Sequence, residues 1–280
     1  MIIDFHTHIF PPEVKERRQE CVGPDPCFAE LFASPKARIA TAEELIASMD
    51  EAEVDVSVAL NMGWASHENC KRTNDYILEA ASRYPKRLIP FCAIQPKAGD
   101  AAIAELERCA RGGARGIGEM RSDTQGFDLA DKEVMGPVVE VARKHNLIFL
   151  THASEPVGHQ YPGKGEITPD SLYRFILNYP ELTVVCAHWG GGLPFYALMP
   201  EVASALKNTF FDTAATPFLY RAQVFERVAE IAGADKILFG SDNPLISPRR
   251  VIAQIESVDL PQEAKSLILG GNAQRLLGWS

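Results

Sequence analysis

The first predicted strand carries two histidines at a spacing that suits a metal ion. Residues 1–8 form a short apolar run that ends in His-Thr-His and lies shortly before Pro11 and Pro12, which is typical of a buried strand. Side chains alternate along a strand, so Asp4, His6 and His8 are predicted to share one face, with the two imidazoles about 7 Å apart. Two such rings can ligate one divalent ion, although two unrelated histidines near a terminus would show the same spacing.

Imidazoles and carboxylates recur where later predicted strands end. With the two on the first strand, four of the seven histidines lie at predicted strand ends. In a barrel of parallel strands these ends share one face, which is where barrel active sites lie. We therefore expect one cup of side chains that holds a divalent ion such as Zn²⁺. Its predicted members are His6 and His8 on the first strand, Glu119 on the fourth, His152 on the fifth, His188 on the sixth and Asp242 on the eighth.

The elements that position these residues alternate between strands and helices along the whole chain. Eight βα units in 280 residues predict a (β/α)8 TIM barrel in a single domain spanning 1–280. A doubly wound open sheet is the rival fold, but its G-x-G-x-x-G fingerprint does not follow the first strand. The predicted strands are 1–8, 54–61, 87–94, 114–120, 147–152, 182–188, 209–213 and 236–242.

Two longer connections are predicted to cover the barrel mouth. Residues 10–40 contain many prolines and are predicted to be irregular, and residues 153–167 are rich in glycine. Loops of this length in a compact domain are usually functional or disordered. Both are candidate lids, since loops often take that role over a barrel mouth.

Composition excludes several classes of partner. The net charge of −9 argues against nucleic acid and anionic membranes. The six cysteines are scattered, which predicts a reducing compartment without a disulfide framework. We expect no signal peptide, and no apolar run is long enough to cross a bilayer. We expect a cytoplasmic protein that acts on a small molecule, and the sequence leaves room for a homo-oligomer.

The ordered motifs resemble those of the amidohydrolase superfamily. They are D-x-H-x-H on the first strand, Thr-His-Ala at 151–153, Ala-His-Trp-Gly-Gly at 187–191 and Phe-Gly-Ser-Asp-Asn-Pro at 239–244. They look most like its amidohydrolase-2 branch, which includes the aminocarboxymuconate-semialdehyde decarboxylase-like enzymes. The resemblance implies a catalytic metal, usually zinc, bound by His6, His8, His152 and Asp242. It also implies that His188 is the acid/base or polarising group beside the metal.

Glu119 leaves the number of ions open. The run Gly-Ile-Gly-Glu at 116–119 looks more like the TatD-type nucleases and phosphotriesterase-related proteins, where a glutamate ending the fourth strand can bridge two metals. In that variant His152 and His188 would hold the second ion. Glu119 could instead pair with Arg115 or Arg121. We favour one ion, because the other motifs resemble the single-metal branch.

The ligand set suits two reactions. In hydrolysis of a C–N or C–O bond, a metal lowers the pKa of bound water towards about 7, Asp242 takes the proton and His188 polarises the substrate. The alternative is non-oxidative decarboxylation of an aromatic or enoic acid. A non-catalytic metal-binding barrel is a third class. The intact ligand set together with His188 argues against it, and hydrolysis of a small substrate that can carry a carboxylate is the main prediction.

Two further residues are predicted to contact the substrate. Arg121 lies two residues beyond Glu119, so it can face the same cup and clamp a carboxylate, although a solvated arginine would also fit. Trp189 follows His188 and can form the wall of an apolar pocket, or it can simply cap the barrel.

Overall fold

A computed structural model describes residues 1–279 of the chain, and its strands form one ring. Each strand pairs in parallel with the next, in the order β1 to β8, as the TIM-barrel prediction requires. The strands are β1 Ile3–His8, β2 Val56–Leu60, β3 Leu88–Cys92, β4 Gly116–Met120, β5 Ile148–Thr151, β6 Val184–Cys186, β7 Thr209–Asp212 and β8 Ile237–Leu238.

Helices surround the ring and connect its strands. They are Pro12–Glu16, Arg18–Val22, Pro26–Phe32, Ala42–Ala52, His67–Arg83, Asp100–Arg111, Ser122–Gln125, Lys132–Lys144, Pro169–Asn178, Ala187–Gly190, Pro200–Ala205, Thr216–Leu219, Val224–Ala232, Pro248–Ser257, Gln262–Ser266 and Asn272–Leu277. Shorter 3₁₀ turns span Pro96–Ala98, Leu193–Leu198, Leu206–Asn208 and Ala234–Lys236, and a π-helical turn spans Leu267–Gly271. None of the helices within residues 1–279 is long and apolar enough to cross a membrane.

The segment that follows β8 closes the ring against β1. The amide of Phe5 donates to the carbonyl of Phe239 at 2.7 Å, and the amide of Asp242 donates to the carbonyl of His6 at 2.9 Å. The second bond holds the backbone of two predicted metal ligands side by side. Barrel closure and assembly of the site therefore depend on the same backbone contacts.

A register slip in β1 changes which of its side chains share a face. Asp4 pairs with Ser57, whereas Thr7 pairs with Ala59, so three steps along β1 match two along β2. Because one inserted residue reverses the alternation, Asp4 and His8 point to opposite faces. The prediction that Asp4, His6 and His8 share a face was therefore wrong for Asp4.

The core has an inner and an outer layer. Apolar side chains of the strands pack inside the ring in one cluster with Leu277 of the C-terminal helix; those of the strands include Phe5, Val58, Phe91 and Leu150. A larger layer packs between strands and helices. Full burial of each such side chain stabilises the fold by about 1.5–3 kcal/mol. All six cysteines are free and buried.

The segment 10–40 is more regular than the sequence predicted. It folds into three short helices between Pro12 and Phe32. The Asp25 side chain accepts from the amide of Phe28 and thereby caps the third of these, and Pro26 occupies its first turn. Asp25 also accepts from the amide of Ala65 at 2.9 Å, which ties the segment to the connection after β2. The lid role of this segment stays a prediction.

Candidate metal centre

Six titratable side chains converge at the mouth of the barrel, and all are buried. Two groups of three place their ligand atoms within 4.8 Å of one another. One group is His6, His8 and Glu119, and the other is Glu119, His152 and His188. Asp242 adjoins the first group. The residues that the sequence predicted at strand ends therefore come together, and Glu119 belongs to both groups.

The first group has the donor chemistry of a cation site. Nε2 of His6 and Nε2 of His8 lie 3.0 Å apart, and Asp242 Oδ1 lies 3.3 Å from the His8 nitrogen and 3.9 Å from the His6 nitrogen. Among residues 1–279, the buried Nδ1 of His8 has no hydrogen-bond partner. Two imidazoles and a carboxylate aimed at one point fit a divalent ion.

Glu119 directs one oxygen to each group of histidines. Oε2 lies 3.6 Å from Nε2 of His8 and 3.8 Å from that of His6. Oε1 lies 2.8 Å from Nδ1 of His152 and 3.4 Å from Nε2 of His188. Burial raises the pKa of Glu119, but the surrounding histidines more than reverse this and hold it well below its usual value. A carboxylate in this position can ligate an ion or orient the imidazoles around it.

Asp212, at the end of β7, orients His6 from the opposite side. Its Oδ2 lies 2.8 Å from Nδ1 of His6, and its Oδ1 accepts from the amides of His188 and Ala214 at 3.0 Å each. A ligating histidine usually bonds a carboxylate through its other nitrogen, so this contact leaves the His6 Nε2 lone pair facing the cup. Sequence reasoning missed Asp212, although it ends a strand as the predicted ligands do.

We expect Asp212→Asn to weaken metal binding about 10- to 100-fold, because outer partners of ligating histidines have effects of that size. The measurement is competition of the metal-loaded protein against a chelator. Asp100→Asn, at an exposed helix terminus, is the matched control and should not change the affinity. Equal metal affinity in Asp212→Asn and wild type would show that Asp212 does not support the site.

His188 lies in a tight turn after β6. His188 and Trp189 have left-handed φ values of 54° and 59°, and Nδ1 of His188 lies 3.2 Å from the carbonyl of Ala214. Donation to that carbonyl leaves Nε2 free to face Glu119. Two residues beyond Trp189, Gly191 allows close approach, since a Cβ there would lie 2.3 Å from the carbonyl oxygen of Ser154.

Arg121 is buried and engaged in ion pairs. Its guanidinium lies 3.2 Å from Asp123 and 3.3 Å from Glu30, and it donates to the carbonyl of Gly163 at 3.4 Å. These contacts join the segment 10–40 to the connection after β5. Contact between Arg121 and substrate stays a prediction.

We expect Arg121→Leu to lower the free energy of unfolding by about 3 kcal/mol. The substitution leaves the carboxylates of Asp123 and Glu30 without their buried ion-pair partner. Denaturant unfolding measures the change. Arg174→Leu is the matched control, since that exposed arginine also pairs with two aspartates and should cost less than about 1 kcal/mol. An unchanged stability with a large rise in KM would instead favour a substrate role.

Trp189 is also fully buried. Its indole nitrogen donates to Oγ1 of Thr216 at 2.8 Å, and its ring packs edge-on against Phe225 at 5.1 Å between centroids. These contacts anchor the turn that carries His188. A direct role of Trp189 in substrate binding stays a prediction, because the side chain exposes no surface in this conformation.

Comparison with known proteins gives a consistent family and fold. A family model described as amidohydrolase matches residues 3–279. A 2-amino-3-carboxymuconate-6-semialdehyde decarboxylase of Dictyostelium discoideum is 24% identical over 99% of this chain and 91% of that protein. A gamma-resorcylate decarboxylase of Polaromonas sp. is 23% identical over 75% of this chain and 76% of that protein.

A solved structure shows the same fold. The 5-carboxyvanillate decarboxylase of Novosphingobium aromaticivorans, complexed with manganese and 4-hydroxy-3-methoxy-5-nitrobenzoic acid, superposes with a TM-score of 0.82 at 18% identity. The match covers 99% of this chain and 96% of that chain.

Proposed function

This chain belongs to the amidohydrolase family, and we propose that it is a metal-dependent, non-oxidative decarboxylase of an aromatic or enoic acid. The observation that carries the proposal is that the two relatives described above are both decarboxylases. Their alignments cover 99% and 75% of this chain. The sequence alone placed hydrolysis first and decarboxylation second. The relatives favour the reverse order.

The residues of the cup fit a divalent metal. We propose that His6, His8 and Asp242 hold it, with Glu119 and His152 completing the set. When bound, the ion would hold substrate oxygens and stabilise negative charge. Nitrogen and oxygen donors of this kind admit zinc and manganese alike, and manganese is the ion present in the 5-carboxyvanillate decarboxylase structure.

His188 is suited to deliver a proton. In decarboxylation the bond between the substrate carbon and its carboxylate breaks, CO₂ leaves, and the carbon keeps the electron pair and takes a proton. Burial lowers the pKa of His188, but the hydrogen bond and charge of Glu119 raise it more, so the net shift is upward. An imidazole whose pKa is raised holds its proton more readily, and such a group can act as the general acid.

Asp242 is suited to stay charged. Burial raises its pKa, but the hydrogen bond with His8 and the charges of His6 and His188 lower it to about 2. A permanent carboxylate at this position favours a cation beside it. In hydrolysis the same carboxylate would accept a proton from water.

Hydrolysis remains the second candidate, because the two oxygens of Glu119 face different pairs of histidines. A carboxylate in this position could hold two ions, which would supply activated water for hydrolysis. Mass spectrometry of products from a panel of hydroxybenzoic acids, amides and esters separates the two functions. Loss of CO₂ from an acid supports the proposal. Turnover only of amides or esters, with uptake of water, would overturn it.

Metal titration of the apo-protein tests the role of Glu119. We expect one tight equivalent, and Glu119→Gln should weaken it about tenfold or more, since the neutral amide is a poorer ligand and partner. Metal content after gel filtration gives the count. A second tight equivalent that Glu119→Gln removes would establish a bridged pair of ions in place of the single ion that we favour.

A further inference from the structure

A carboxylate flanked by two phenols lies at the barrel mouth, and the proposed mechanism does not use it. The three residues are Glu155 and Tyr161, from the connection after β5, and Tyr220, from the connection after β7; we call them the Glu155 cluster. The Tyr161 hydroxyl donates to Oε2 of Glu155 at 2.9 Å. The other oxygen, Oε1, is buried and has no hydrogen-bond partner among residues 1–279.

Tyr220 completes the cluster from another part of the chain. Burial raises its pKa, and the charge of Glu155 together with a hydrogen-bonding contact to that side chain raises the pKa further. Its hydroxyl lies 3.7 Å from the position that a Cβ on Gly192 would occupy. Tyr220 thus lies close to Glu155 but makes no well-aligned hydrogen bond with it. Oε1, which has no partner of good geometry among residues 1–279, can therefore accept a better-aligned hydrogen bond.

The Glu155 cluster adjoins the two segments that carry His152 and His188. Oγ of Ser154, the residue before Glu155, lies 3.1 Å from Nε2 of His152. On the other side, a Cβ on Gly191 would lie 3.2 Å from the amide nitrogen of Glu155. The backbone of the cluster therefore lies next to both segments that would hold the reacting end of a substrate.

The Glu155 cluster is not needed to hold the connection after β5 in place. The ends of the connection are already joined, because the amide of Ser154 donates to the carbonyl of Ile167 at 2.8 Å. Its interior is held by Lys164, which donates to the carbonyl of Val157 at 2.8 Å. If Glu155 only held the loop together, its hydrogen bond with Tyr161 would be enough. It would not place a second phenol beside the carboxylate or leave Oε1 buried without a donor, which costs free energy.

The chemistry of the open oxygen defines what it can bind. A buried carboxylate oxygen accepts hydrogen bonds, so it favours a hydroxyl or amino group. It repels a second carboxylate and gains nothing from a methoxy group. We propose that Glu155 determines specificity, by selecting acids that carry a hydroxyl or amino substituent away from the reacting carboxylate. This inference rests on the proposed function for the placement of that reacting carboxylate.

Binding of simple probes tests the inference without requiring turnover. Calorimetry of the manganese-loaded protein with ortho, meta and para hydroxy-, amino- and methoxybenzoates measures the preference for a donor at each ring position. We expect wild type to prefer the hydroxyl or amino group over methoxy by about tenfold or more at one position, since a site built to accept a hydrogen bond rejects an analogue without the donor. Glu155→Gln should reduce that preference to about threefold or less.

Two further variants keep the test decisive. Tyr220→Phe should lower the same preference by a smaller factor, because it removes one wall of the cluster. Glu166→Gln, an exposed glutamate of the same loop, is the control and should leave the preference unchanged. Metal content and thermal unfolding confirm that each variant is folded and loaded.

The outcomes separate this inference from the proposed function. Lost donor preference in Glu155→Gln without CO₂ release from any acid would support the inference and contradict decarboxylation. Decarboxylation with an unchanged preference in the variant would overturn the inference alone. Failure of every probe to bind wild type would overturn it as well.

Discussion

The double variant His6→Ala, His8→Ala is expected to retain no stoichiometric metal after dialysis against a mild chelator. Its turnover should fall about 10³-fold or more, because loss of the ion removes several kcal/mol of charge stabilisation. Both Nε2 atoms face one point beside Asp242, so the double variant removes both nitrogen donors of the first group. Elemental analysis and steady-state kinetics measure the two effects.

The matched control removes two histidines elsewhere in the mouth loops. His67→Ala, His159→Ala deletes the same number of imidazoles, from the start of a helix and from the exposed loop after β5. It should keep its metal and most of its activity. Stoichiometric metal in the His6, His8 variant would rule out the proposed ligand set.

His188→Asn is expected to lower kcat by about 10²–10⁴-fold while leaving the fold and most of the metal in place. A factor of this size is typical of general acid catalysis and of oxyanion stabilisation. The side chain is buried with Nδ1 at the Ala214 carbonyl, so asparagine can keep part of the packing while removing the proton donor. Single-turnover kinetics measure the loss at the chemical step.

The metal content of His188→Asn decides how a large loss of kcat in this variant is interpreted. Retained metal with a reduced rate identifies His188 as the acid. Loss of all metal would favour an ion held between Glu119, His152 and His188. Activity within a few-fold of wild type would make His188 a bystander.

The barrel could be predicted from the sequence because its strands are nearly all apolar and recur with helices between them. Strand ends were less accurate. β8 spans only Ile237–Leu238, whereas residues 236–242 were predicted. At Gly240 the chain passes close to His6, since a Cβ there would lie 2.9 Å from the His6 Cβ. Such close approach depends on tertiary packing that a local pattern does not contain.

The chemical types in the cup were predictable, but their orientation was not. Histidine and carboxylate at strand ends identify the site under the barrel hypothesis. The slip between Asp4 and Thr7 depends on pairing with β2, and the split of Glu119 between two histidine pairs depends on strands far apart in sequence. Asp212 was missed because a lone aspartate at a strand end carries no motif of its own.

The burial of Arg121 illustrates the same limit. Its position two residues after Glu119 predicts a side chain near the cup, and the structure places it near the mouth. Its partners Glu30 and Gly163 come from two separate connections, and neither shows a recognisable pattern around Arg121 in the sequence. Long-range ion pairs of this kind are set by loop packing.

Isotope labelling of the reaction tests the proposed decarboxylation most directly. Manganese-loaded protein would be incubated in D₂O with hydroxybenzoic acids that carry ¹³C in the carboxylate, and CO₂ and arene would be analysed by mass spectrometry. We predict release of labelled CO₂ and one deuterium at the carbon that lost it, with neither product formed by the metal-free protein. Turnover that retains the labelled carboxylate and adds water to the substrate would contradict the proposal.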